Sequence, residues 1–159
     1  MTSREVLIKK IKQQAEAASI TFKESTPEEF MALANVAPSP RPIVSLEDFF
    51  EGNNDLGSIG CNLIEHPGIE TFYKVLKDIR ERDDVQDVII EISQIEETDE
   101  TMWPFSETVY ILTSADIGKV KEWMKPLKAD EFFEGWFGGK ASAAPELQAG
   151  IKVYGAWWD

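Results

Sequence analysis

The chain has 159 residues, 43% of them hydrophobic and 11% aromatic, which supplies a packed core and excludes disorder throughout. Its 29 acidic against 16 basic residues give a formal net charge of −13, a field that repels phosphate backbones and sets nucleic acid aside as a partner. A single cysteine, Cys61, excludes an intramolecular disulfide and the scaffold of a small secreted domain.

At the N-terminus, Thr2 and Glu5 have the spacing of a capping box, and Val6, Leu7, Ile11, Ala15 and Ala18 recur at helical intervals. Arg4, Glu5, Lys9, Lys10 and Lys12 interrupt any signal-peptide core, and no run reaches membrane-spanning length. A cytoplasmic location without a membrane partner is the expectation. Thr26-Pro27-Glu28-Glu29 predicts a second helix, with Phe30, Leu33 and Ala34 on its buried side. Pro38, Pro40 and Pro42 then impose an extended connector. Ser45 is expected to cap a short helix through Phe50 that closes near Gly52.

Ile59, Cys61 and Leu63 alternate with Ser58, Gly60 and Asn62, which reads as a first strand, although Gly57 and Gly60 weaken it. Pro67 opens a helix whose Ile69, Phe72, Tyr73, Leu76 and Ile79 share a face through to Arg82. Val88, Ile90 and Ile92 mark a second strand. Glu107 to Thr113 marks a third, apolar on both faces and therefore central. Ser114 is expected to cap a helix presenting Ile117, Val120, Trp123 and Met124. Residues 128–150 mix burial signals with turn signals, and Ile151 to Trp158 forms the last strand.

This order gives an α+β fold, 1–55 as an N-terminal helical extension packing on the main domain and 56–159 as that domain. The β-α-β-β-α-β sequence of 56–159 resembles the ferredoxin-like arrangement, an antiparallel sheet with both helices on one face. The resemblance is one of topology and implies no function. Tyr110 and Leu112 are expected to face away from the helices, joined by Tyr154 and Trp158, with Val153 and Trp157 inside. Such an aromatic face requires a cover, which the N-terminal helices, a second copy or a partner would supply.

Residues 78–107 hold eleven acids against two bases. Within this run Glu96, Glu97, Asp99 and Glu100 read as a solvated loop or as a landing patch for a basic protein. Trp103 and Phe105 flank Pro104 and read as a lid on the core or as binding anchors, and the same pair of readings applies to Trp136 and Phe137. His66 is the one histidine, so the surviving nucleophile arrangement is Cys61 with His66 at a strand-to-helix junction; burial of Cys61 and capping by His66 is the plainer reading. The acids match no EF-hand spacing, no phosphate cradle or metal motif occurs, and neither cofactor nor metal is expected.

Trp-Pro-Phe-Ser-Glu-Thr-Val-Tyr resembles phrases of uncharacterised bacterial conserved proteins and implies no residue roles. The leading expectation is a non-enzymatic protein-interaction domain of bacterial type, for example an acidic immunity or inhibitor protein, with Trp103, Phe105, Tyr110, Tyr154 and Trp158 as anchors. A ligand-sensing module acting as a homodimer, and an enzyme using Cys61 and His66, are the alternatives.

Overall fold

The computed structural model describes residues 2–23, 41–141 and 143–159. The reciprocal cap at the N-terminus is formed: the Glu5 amide donates to Thr2 Oγ1 at 3.2 Å and the Thr2 amide to Glu5 Oε2 at 3.3 Å, starting helix α1 (Ser3–Lys23). Its apolar stripe buries Leu7 and Ile11, each contributing about 1.5–3 kcal/mol. The helix expected from Thr26 and the prolines at 38 and 40 lie outside the described residues.

Beyond α1 come strand β1 (Ile43–Ser45), helices α2 (Leu46–Phe50) and α3 (Ile69–Arg80), and strands β2 (Val85–Glu91) and β3 (Thr108–Thr113). Helix α4 (Ile117–Trp123), strand β4 (Glu131–Glu134) and strand β5 (Lys152–Trp157) complete the order. The strands form one sheet in the order β1-β2-β3-β5-β4, with every neighbouring pair antiparallel. The Ser45 cap holds, its hydroxyl accepting from the Asp48 amide at 3.1 Å, and Arg80 of α3 grips Glu47 of α2 through two bonds of 2.5 and 2.6 Å. Asp116, not Ser114, caps α4, accepting from the Lys119 amide at 2.9 Å.

The fold is α+β, but its strand order is not ferredoxin-like. Residues 59–63, expected as the first strand, form a turn instead: Ile59 makes one parallel bridge to Ser106, and Gly60 bends the chain at φ 64°, the left-handed region that glycine tolerates. Cys61 consequently faces solvent. The first strand is the three-residue β1, placed at the sheet edge and antiparallel to β2, where the expected topology needs a central strand. At the other edge β5 lies between β3 and β4, so β3 is the middle of five.

One face of the sheet carries the larger core. Val88, Ile90, Val109, Ile111, Tyr154 and Ala156 meet Leu7, Phe49, Phe72, Leu76 and Val120 from the helices. The register sets Tyr154 opposite Ile111 and Val153 opposite Leu112. Tyr154 and Trp158 therefore lie on the helix side and Val153 on the other, one residue out of step with the alternation expected for the last strand. The second face buries Ile43, Ile89, Tyr110, Leu112 and Val153. Its cover is not α1, which packs on the helix side, but Phe133, Trp136, Ala141 and Ala144 of the chain itself.

Candidate functional site

The second face holds a buried polar cluster. Strand alternation turns Ile89 and Glu91 of β2 to that side, and the middle position of β3 carries Tyr110 between Ile89 and Gly155. Gly155 is required there: a Cβ at this position would lie 2.1 Å from the Phe133 ring, which occupies the space a side chain would fill. Phe133 meets Tyr110 edge-on at 6.1 Å between centroids, and Trp136 lies 4.7 Å from the same ring.

Tyr110 Oη accepts the Phe137 amide at 3.2 Å and directs its proton to Glu91 Oε1 at 3.4 Å. Glu91 Oε2 is 3.2 Å from Arg41 Nη1, and the Arg41 guanidinium returns to lie 5.6 Å from the centre of the Phe137 ring. Glu91 is 2% exposed whereas Phe137 is 60% exposed. Burial pushes the Glu91 carboxyl above its ordinary range despite the opposing charge of Arg41. Burial, then the charge of Glu91, pushes the Tyr110 phenol up to about 12, so it stays a hydrogen-bond donor at neutral pH. Together they hold the backbone amide of Phe137, whose ring is exposed.

The other residues singled out in the sequence fall elsewhere. Trp103 is 5% exposed and lies in the helix-side core, its Nε1–H the single buried side-chain polar atom without a partner among the described residues. Phe105 is half-buried beside the bridge to Gln94. Tyr154 and Trp158 are buried, and Trp158 Nε1 donates to the Leu127 carbonyl at 2.8 Å. Arg4 fastens the acidic loop from within, donating to the carbonyls of Glu96, Asp99 and Met102 at 2.7, 2.9 and 2.8 Å. Glu97 pairs with Lys12 at 2.7 Å, Asp99 accepts from Thr101, and Glu100 stands exposed. The acids and the second-face rings do not converge on one site.

His66 binds both its ring nitrogens locally. Nδ1 accepts the Gly68 amide at 2.9 Å, which leaves the proton on Nε2 to be donated to the Ile59 carbonyl at 2.8 Å. The ring orders its own loop, and neither nitrogen is left to serve Cys61 as a base. Among the described residues no group of three or more His, Cys, Asp or Glu side chains is placed to hold a metal, and no helix is long and apolar enough to cross a membrane.

Glu91, Arg41 and Gln14 are not among the residues singled out in the sequence, although Glu91 and Gln14 each carry a signal. Glu91 interrupts the apolar run Val88 to Ile92, and Gln14 sits on the Leu7–Ile11 stripe, where an apolar residue is expected. Gln14 Nε2 donates to the Ile43 carbonyl at 2.8 Å while its Oε1 accepts the Ile43 amide at 3.0 Å, so one side chain satisfies both outward backbone groups of that edge residue.

A family model described as "Uncharacterized protein YfbO family" matches residues 3–156. The chain is 38% identical over 126 residues to "Uncharacterized protein YfbO" of Escherichia coli (strain K12), covering 79% of this chain and 88% of that protein. No solved structure matches.

Proposed function

The chain belongs to the uncharacterised YfbO family, and from that premise we propose that it is a protein-interaction module that docks on a basic partner through the surface around Phe137. The observation that carries this reading is the contrast between an exposed ring and the buried groups that hold it. An ordinary surface phenylalanine samples several rotamers and loses that freedom on binding, whereas the Phe137 backbone is held by Tyr110 and its ring is bounded by the Arg41 guanidinium at 5.6 Å and the Phe133 ring at 6.2 Å. Ordering a ring in advance lowers the entropic cost of association, and aromatic side chains commonly dominate interface energetics. The net charge of −13 favours a cationic partner and steers its approach. An inhibitor or immunity protein that covers a basic active site is one concrete form of this function.

The test immobilises the full chain and a Phe137→Ala variant and passes native lysate over both. A basic protein is expected on the wild-type chain at low salt and not on the variant, whose melting temperature stays within about 2 °C of wild type because the ring is largely in water. Equal capture by both chains, or no capture at low salt, overturns the proposal.

A further inference from the structure

A bulge in β2 aims one side chain at the cover of the second face. The pairing of β2 with β3 shifts between Val85 and Asp87, which leaves Gln86 as the extra residue with no opposite number on β3. Its carboxamide reaches the connection between β4 and β5 (135–151) and grips main chain there twice. Nε2 donates to the Glu146 carbonyl at 2.9 Å, and Oε1 accepts the Gln148 amide at 2.9 Å. Toward the other end of the connection, Tyr110 Oη accepts the Phe137 amide at 3.2 Å. Between these ties the connection adds little packing of its own. Among its described residues Ala141 is the one buried side chain, with Trp136 and Ala144 half-buried, whereas Ile89, Leu112 and Val153 of the same cluster are at most 5% exposed. Its ends are glycines: Gly135 lies at φ 90° and Gly150 at φ 78°, and a Cβ at either would meet nothing within 4 Å.

We propose that the described residues of this connection form a strap that lifts from the second face as one body about Gly135 and Gly150, with Tyr110 and Gln86 as its two latches. This goes beyond the docking reading and needs no partner for its test. Bonds internal to the strap make it move together: the Ala144 amide donates to the Ala141 carbonyl at 3.0 Å, and Lys140 pairs with Glu146 at 2.9 Å. What holds it down is the set of hydrogen bonds from Gln86 and Tyr110, the Arg41 contact with the Phe137 ring, and the burial of Ala141 with part of Trp136. A segment with so few buried apolar contacts opens at a lower free energy than the whole molecule. Strand β3 does not take part, because it is paired with β2 on one side and β5 on the other. Lifting the strap turns Ile89, Leu112 and Val153 toward solvent, an apolar surface that the closed form keeps covered. Phe137 rides on the strap, so a molecule that binds its ring in the closed form draws the equilibrium toward closure.

Native-state amide hydrogen exchange on the full chain tests the strap by cutting each latch and reading the other. In Gln86→Ala the Gln148 amide loses its acceptor; the Phe137 amide, whose own acceptor is intact, is expected to exchange about tenfold faster as well. Tyr110→Phe is expected to do the reverse and speed the Gln148 amide by a similar factor. The β3 amides from Val109 to Leu112 keep their wild-type rates in both variants. In the wild-type chain, urea below the unfolding transition is expected to bring the Phe137 and Gln148 amides to one opening free energy, with a slope smaller than that of global unfolding. A change confined to Gln148 in Gln86→Ala and to Phe137 in Tyr110→Phe would mean two separate static ties and would overturn the proposal. So would wild-type Phe137 and Gln148 amides that open with different free energies, or β3 rates that rise together with those of the connection.

Discussion

The two faces of the sheet are held by different physics. On the helix side, Phe72, Leu76, Val88, Ile90, Val109 and Ile111 belong to a large apolar cluster in which Trp158 Nε1–H to the Leu127 carbonyl is a directed contact, so cohesion there is mainly non-directional and scales with area. On the other side a smaller apolar group surrounds a carboxylate, a phenol and a main-chain amide in a directed chain from Arg41 to Phe137. The first arrangement provides stability; the second provides position, because hydrogen bonds fix geometry more firmly than they add net free energy. A face built for position and ending in an exposed ring is what the proposed docking on a basic partner would use.

Substitution separates the two, and the helix side should respond most. Phe72→Ala removes a fully buried ring that packs 5.6 Å from Trp158, and a loss of about 3–5 kcal/mol is expected in urea unfolding. Gly155→Ala comes next, since its methyl group must displace the Phe133 ring. The expected cost is about 1–3 kcal/mol in the same urea unfolding.

The pH dependence sharpens the contrast through two glutamates with opposite signs. Burial raises the folded pKa of Glu91, so its contribution to stability is full below the ordinary value of about 4.3 and is lost as pH rises through the raised one. The hydrogen bonds from Arg80 lower the folded pKa of Glu47, whose contribution is present above the ordinary value and lost as pH falls through the lowered one. Glu91→Gln should therefore flatten the stability profile on the neutral side of that value and Glu47→Gln on the acid side, as read by denaturation across a pH series. The smallest effect is expected from Trp103→Phe: deleting the unpartnered indole N–H offsets part of the lost packing, leaving a change within about 1 kcal/mol.

How much of this was readable in the sequence follows from how strongly each residue constrains its surroundings. Helix α3 and strands β2 and β3 were legible because Ile69, Phe72, Leu76 and Ile79 on one side and Val88, Ile90 and Ile92 on the other keep a single period. The turn at 59–63 carries the same period by coincidence: Ile59 is buried, but Gly60 bends the backbone and frees Cys61. The phase of the last strand is not legible because both sets of alternating positions, Ile151/Val153/Trp157 and Tyr154/Ala156/Trp158, are mostly apolar, and only pairing with β3 settles it. Strand β1 is too short for a periodic signal. The Tyr110–Glu91–Phe137 chain joins three distant segments, which no local pattern records.

The central claim, that the buried polar chain on the second face positions Phe137 independently of the helix-side core, is tested most directly by native-state amide hydrogen exchange on Tyr110→Phe. The Phe137 amide loses its acceptor in this variant, so its protection should collapse while the β3 amides from Val109 to Leu112 exchange as in wild type. Unchanged protection at Phe137, or loss of protection at Phe137 and β3 together, would contradict the account.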